Sequence, residues 1–433
     1  MVERESLIQA RKNAHTIGLV LLIITLSPSF PNLVGRSLLP SIITLTTYSL
    51  LVAYLFISKK LIIRIEIILF WILQYVFLLS TALPSDENII PSDFTELLIP
   101  LSSIFITIYL YSIFKETSER EILEINKIIY RYICFIILII LSISILEFIG
   151  LEINTLYILY KPYEKYLGST RVVTFFLYPY YLTFFLLTAL CFILPVMSYT
   201  RSLFSFIIFL CTLTAIILAQ SQSGFTSALL ITFLYFFINN PNYINLFIRS
   251  AFLILIVIAS IYLAPISIKW LASNFDLYTF RAMNRIINSP ETSGTLNVRL
   301  NQIIFAIQES YNNYLIVGAG WGRNAYLESW ISYLIHKYGV LYTFLLVLGW
   351  AYMIYKLFIK YKLYYQERSI ISYYLKSFLV FIAVLPISLS SAFLLFTHKL
   401  TLLFYFIIML SLHIIDKPFI KKKTNLQQHN SMS

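Results

Sequence analysis

Apolar residues in this chain occur in long, nearly unbroken runs instead of in alternation, and short polar connections separate the runs with one exception. Runs long enough to span a bilayer, which takes about 20 helical residues, cover 16–33, 38–57, 65–83, 97–114, 129–149, 172–194, 203–219, 224–239, 246–267, 338–357, 375–394 and 400–415. Backbone groups in lipid must find partners within the protein, so runs of this length predict helices and not the shorter strands of a barrel. The pattern therefore predicts an all-α polytopic membrane protein of about twelve transmembrane helices, with 1–433 as a single membrane domain. The exception is the loop 268–330. Within it, Leu300, Ile303, Ile304 and Ile307 recur at i, i+3, i+4 and i+7 while Asn301, Gln302 and Gln308 face elsewhere. That spacing predicts an amphipathic helix lying on the membrane or capping the bundle.

Composition supports this picture. At 59% hydrophobic and 12% charged residues, with a mean hydropathy of +0.81, the chain falls outside the range of soluble globular domains, where about a quarter of residues are charged. An even number of spans puts both termini on one side, and cytoplasmic connections accumulate Lys and Arg. With the termini inside, 21 of the 32 basic residues lie on the inner side, including Lys59, Lys60, Lys115, Lys360, Lys362 and the run Lys421 to Lys423. The loop 268–330 is therefore expected on the extracytoplasmic face, with 417–433 as a cytoplasmic tail. The net charge of +12 then reflects topology and contact with anionic membrane lipid, so no nucleic-acid partner is expected. Cys134, Cys191 and Cys211 all fall in predicted spans, which gives neither a disulfide framework nor a metal signature. Met1 to His15 is polar and precedes an apolar run, but no small-residue cleavage site follows. It reads as the start of an uncleaved first helix.

The long loop holds the most suggestive chemistry. It carries Arg281, Arg285, Arg299 and Arg323 against the single Lys269, and the Gly-rich turn Gly318-Ala319-Gly320-Trp321-Gly322 closes it. Arg281 and Arg285 are four apart, so on a helix they share a face, and paired guanidinium forks suit a diphosphate. The plainer reading is that they pair with Asp276 and Glu291 or meet lipid headgroups. Gly318 and Gly320 allow a close backbone approach to phosphate or form a tight turn; the turn follows no strand and lacks the lysine of a P-loop.

Three patches carry a resemblance. The first is Gly168-Ser169-Thr170-Arg171 with Phe175 to Pro179, and the second is Ser221-Gln222-Ser223-Gly224. The third runs from Arg299 through Gly318-Ala319-Gly320 and Glu328-Ser329-Trp330 to Tyr333 and Gly339. In order and spacing they resemble the O-antigen polymerase and O-antigen ligase superfamily of bacterial polysaccharide assembly. The motif match is confined to roughly 165–225 and 295–340.

The resemblance implies a multi-spanning glycosyltransferase that uses sugars carried on undecaprenyl diphosphate at the outer face of the membrane, without metal or other cofactor. A chain-length regulator protein is an implied partner. Arg171 matches the arginine before the family's aromatic-Pro segment, and Arg299 matches the arginine upstream of its Gly-x-Gly turn. Arg281, Arg285 and Arg323 have no motif counterpart. In ligases a His-Asn pair stands about where Glu328-Ser329 stands here, eleven residues before Gly339. The difference favours polymerisation of repeat units, with transfer of glycan to lipid A core as the alternative.

Such a reaction needs a stabilised diphosphate leaving group and a deprotonated sugar hydroxyl. Arginines serve the first need and a carboxylate the second. Arg171 and Arg299 are the expected leaving-group residues and Glu328 the expected base, with Glu147, Glu152 and Glu164 as competitors. Glu328 reads equally as a solvated residue paired with Arg323 or Lys337. A third reading, a lipid-linked oligosaccharide flippase, calls for short outer loops and charged residues lining a central cavity, and the sequence shows neither.

Overall fold

The computed structural model describes residues 2–27, 38–79, 93–149, 172–176, 179–238, 269–270, 273–274, 284, 294–312, 318, 327, 329–365, 369–389 and 398–416. Among these the regular structure is helical throughout. The longer helices are α1 (Val2–Leu26), α2 (Leu38–Ile57), α3 (Ile65–Leu79), α4 (Asp93–Phe114), α5 (Glu119–Phe148), α6 (Pro179–Thr200), α7 (Leu203–Ala219), α8 (Gln222–Phe237), α9 (Gly294–Asn312), α10 (Trp330–Tyr365), α11 (Ile370–Ser388) and α12 (His398–Asp416). Among the described residues, five segments are long and apolar enough to cross a membrane: α5, α6, α10, α11 and Lys399–Asp416 of α12. The predicted span 246–267 lies outside the described residues, as does the tail 417–433.

Local chemistry explains where several helices begin. Ser118 accepts from the Glu121 amide while the Glu121 carboxylate accepts from the Ser118 amide at 2.8 Å. This capping box starts α5 ten residues before the expected 129. Pro179 opens α6, where its missing N–H costs nothing. The expected start at 172 is therefore too early, and 172–176 is non-helical. α1 begins at Val2 and not at 16, because the polar stretch Val2 to His15 continues the helix along α5. There Arg11 meets Glu124 at 3.2 Å, and Gly18 leaves the room that the Tyr132 ring fills. Between α7 and α8 the chain turns on Gln220, at φ 54°, and Ser221 accepts from the Gly224 amide at 3.3 Å to cap α8.

The core centres on α6, whose residues 182–194 are all buried. A helix apolar on every side belongs at the centre of a bundle, and α7, α8, α11 and α12 surround this one. The outward faces are also apolar: Phe56, Ile57, Ile72, Val76, Leu203, Phe204, Phe344, Leu348 and Tyr352 are all exposed. A belt of this kind is what lipid-facing helices present, since a soluble protein seldom exposes such area.

Contacts sort the helix ends into two sets. At one end Arg64 bonds Asp416 at 2.6 Å, Tyr364 donates to Glu119 at 2.7 Å, Tyr361 donates to the Ile238 carbonyl at 2.9 Å and the Ile62 amide donates to Ser112 at 3.0 Å. The Asp416 carboxylate holds the Arg64 guanidinium above its ordinary pKa. These residues flank the connections expected to face the cytoplasm. The ends of α1, α5 and α7, the start of α12 and the segment 172–176 meet at the opposite end.

α10 departs most from expectation. The sequence predicts one span over 338–357, whereas the helix begins at Trp330 and is broken at Gly339, where φ is 84° and ψ 170°. The Trp330 and Trp350 rings lie 5.5 Å apart. In a continuous helix 20 residues rise about 30 Å, so the arm 330–338 doubles back alongside the arm that follows Gly339.

Candidate functional site

The third patch assembles around that reversal. Gly318 packs so closely on the His336 carbonyl, the Lys337 carbonyl carbon and the Gly339 nitrogen that a Cβ there would collide with backbone. Gly318 thus makes a close backbone approach, and what it approaches is the protein's own turn. Phe305 of α9 stacks on His336 with ring centroids 5.9 Å apart, which ties the helix bearing Arg299 to the same turn. Most of the returning arm is interior: Trp330, Ser332, Leu334, His336, Lys337 and Tyr338 are buried, while Ile331 is exposed. Gln74 of α3 donates to the Tyr338 hydroxyl at 3.2 Å, and the Trp350 indole donates to the Ile382 carbonyl at 2.9 Å.

The expected amphipathic helix exists as α9, and it is turned inside out relative to a soluble one. Leu300, Ile304, Ile307 and Tyr311 are 46–70% exposed, while Ala306 and Ser310 are buried and Arg299, Gln302 and Glu309 are half-buried. The side applied to the protein thus carries Arg299, Gln302, Ala306, Glu309 and Ser310 together with Ile303, and the outward side carries Leu300, Ile304, Ile307 and Tyr311 together with Asn301 and Gln308.

Among the described residues, the segments flanking the first two patches meet at the same end. The Val172 amide donates to the Leu218 carbonyl at 3.3 Å, and Gly224 lies against Thr183 of α6, where a Cβ would come within 2.5 Å of the threonine side chain. Glu147, a candidate base from the sequence, accepts from the amides of Val173 at 3.1 Å and Thr174 at 3.3 Å. It therefore serves as an anchor for this segment. Of the other expected site residues, Arg299 and Gly318 are described, and Arg171, Arg281, Arg285, Gly320, Arg323 and Glu328 lie outside the described residues, as do Glu152 and Glu164.

The structure adds groups that the sequence reading passes over. Lys399 and Lys376 are such groups, and Lys399 is 2% exposed; Lys337, which the sequence reading sets beside a solvated Glu328, is instead 1% exposed, with His336 buried next to it on the returning arm. Lys399 donates to the carbonyls of Ser27 and Phe175 at 2.6 Å each and of Thr25 at 3.3 Å. Lys376, likewise buried, stands 4.0 Å from the centre of the Tyr235 ring. Ionisable residues inside a membrane domain are costly and mark functional positions by default. Cys134 and Cys191 are buried as expected, whereas Cys211 of α7 is half-buried and packs against the edge of the core.

No family model matches the chain, and neither a curated protein nor a solved structure matches it.

Proposed function

We propose that the chain is a multi-pass glycosyltransferase of the bacterial inner membrane that polymerises undecaprenyl-diphosphate-linked oligosaccharide repeat units into O-antigen or a related surface polysaccharide at the periplasmic face. The observation that carries this reading is where the resembling patches sit. Val172–Phe176, which joins the two parts of the first patch, bonds the helix end that leads into Ser221–Gly224 at the end of the bundle opposite the basic connections, and α9, Gly318 and the Gly339 turn form one unit. Twelve spans, counting 246–267, with cytoplasmic termini are part of this reading.

In the proposed step an acceptor sugar hydroxyl attacks the anomeric carbon of a lipid-linked glycan. The new C–O bond forms as the bond to the diphosphate breaks, the diphosphate leaves with the electron pair, and the hydroxyl proton passes to a carboxylate, for which Glu328 is the candidate. Arg299 and Arg171, permanently charged, stabilise the leaving diphosphate. Arg281, Arg285 and Arg323 are supporting cations in the same loop. The exposed apolar face of α9 keeps Arg299 at headgroup depth, where a lipid diphosphate resides.

The test is deletion of the gene in its native host. A polymerase predicts loss of the long-chain polysaccharide ladder, leaving single repeat units on core. Unchanged chain lengths contradict the reading, and accumulation of full-length lipid-linked polymer assigns the chain to ligation instead.

A further inference from the structure

Lys399 stands where its own helix disfavours it. It is the second residue of α12, at the positive end of the helix dipole, and is 2% exposed. Its surroundings explain why it is there. Thr25 and Ser27 lie at the C-terminal end of α1, where carbonyls lack helical donors and the dipole is negative. Phe175 belongs to the non-helical segment 172–176. The three carbonyls receive the Lys399 ammonium at 3.3, 2.6 and 2.6 Å, and the Phe176 ring centre lies 5.8 Å away. An ammonium has three N–H donors and no acceptor, so three converging carbonyl oxygens match the protonated side chain. A neutral amine would direct its lone pair at one of them.

The segment so gripped makes one bond within itself, from the Phe176 amide to the Val173 carbonyl at 2.9 Å, and takes the rest of its support from neighbours. Val172 to Phe176 is buried throughout, yet Thr174 has φ 47°, a strained value for a β-branched residue. Such a conformation persists only where neighbours impose it. Here Glu147 takes the Val173 and Thr174 amides, the Leu218 carbonyl takes the Val172 amide, and Lys399 takes the Phe175 carbonyl. Non-helical backbone within a membrane domain is tolerated where protein encloses it and satisfies its polar groups. A carboxylate from α5 and an ammonium from α12 supply that here from two sides.

We infer that Lys399 is a positioning residue: its ammonium, held in a cage of three carbonyls, locks the Val172–Phe176 segment to the end of α1 and thereby fixes the backbone that leads, one peptide bond beyond Val172, to Arg171. The inference rests on the polymerase reading for its consequence, though the cage stands independently of it. Burial and full occupation by carbonyls keep the Lys399 amine from touching substrate, so it is not a catalytic residue. A purely stabilising lysine, when lost, lowers the amount of folded protein and leaves the rate per folded molecule unchanged.

The experiment uses the full chain in liposomes. Lys399→Ala empties the cage, and methylammonium, which carries the same compact charge, can refill it; Lys399→Met fills the volume with no charge and blocks refilling. The expected result is a rate per folded molecule at least tenfold below the parent for both variants, restored by methylammonium for Lys399→Ala alone. Parent-like rates per folded molecule in both variants overturn the inference, as does a loss that methylammonium does not reverse in Lys399→Ala. A second readout keeps the test independent of activity: maleimide labelling of Arg171→Cys in a Cys211→Ser background. The labelling rate should change on adding Lys399→Ala and return with methylammonium. An unchanged labelling rate overturns the inference even where a polymer ladder is measured. If no polymer forms with the parent chain but the labelling responds, the polymerase reading fails and the cage stands.

Discussion

Trp330 and Trp350, 20 residues apart along one nominal helix, have ring centroids 5.5 Å apart. The pair measures how far α10 folds back at Gly339, and two glycines permit it. Gly339 adopts φ 84°, and Gly318 has no side chain to strike the turn. Gly339→Ala should cost about 1–3 kcal/mol in strain and open the reversal. Thermal unfolding in detergent reads the cost. Cysteines placed at 330 and 350 and treated with a short bis-maleimide should cross-link in the parent and not in the Gly339→Ala background. Efficient cross-linking in both shows that the reversal does not need the glycine.

The outward apolar stripe of α9 makes a separate prediction. A nitroxide attached at Ile304 should show high collision with oxygen and low collision with a water-soluble nickel chelate, the signature of contact with lipid. Ile304→Asp should reduce polymer formation by displacing the helix from the membrane surface. Equal accessibility of the label to both relaxants places α9 in water and removes the support for a headgroup-level Arg299.

At the opposite end of the bundle, Lys376 lies over the Tyr235 ring, whose hydroxyl also donates to the Leu194 carbonyl at 3.2 Å. Tyr235→Phe keeps the ring and should cost about 1 kcal/mol for the lost hydrogen bond. Tyr235→Leu also removes the face that a desolvated cation needs and should cost about 2 kcal/mol more. Comparing the unfolding temperatures of the two variants isolates the ring. Equal temperatures would mean that Lys376 draws nothing from it.

Arg299 offers the sharpest test among the expected site residues that the structure describes. Arg299→Ala should lower the polymerisation rate on the order of 100-fold, as loss of a leaving-group donor does. Arg299→Lys should recover little, since an ammonium cannot form the two parallel bonds that a guanidinium makes to phosphate. A polysaccharide ladder restored by lysine would show that charge alone suffices.

Helix positions were legible because burial in lipid leaves long apolar runs that local composition reports directly. The helix that starts α5 early was legible in principle from Ser118 and Glu121, whose capping-box spacing precedes the apolar run. The reversal at Gly339 was not, because apolar periodicity continues on both sides of it; a glycine at the mouth of a span looks the same whether it opens the helix or turns it back. The segment 172–176 was absorbed into a predicted span because Val172, Val173 and Phe175 are as apolar as the helix that follows. Only Pro179 marked the true start. Lys399 reads as a flanking lysine at an interface, and the Thr25, Ser27 and Phe175 carbonyls that bury it come from segments distant in sequence. The face that α9 turns to the protein was equally hidden, since amphipathic spacing defines two faces without saying which one meets the bundle.

The most direct test of the account is reconstitution of the purified chain in liposomes containing an undecaprenyl-diphosphate-linked repeat unit, followed by analysis of glycan length and of released lipid carrier. The account predicts products at integer multiples of the repeat unit, with undecaprenyl diphosphate released for each linkage formed and no added metal required. Repeat units that stay single, or that cross the bilayer without being joined, would contradict it.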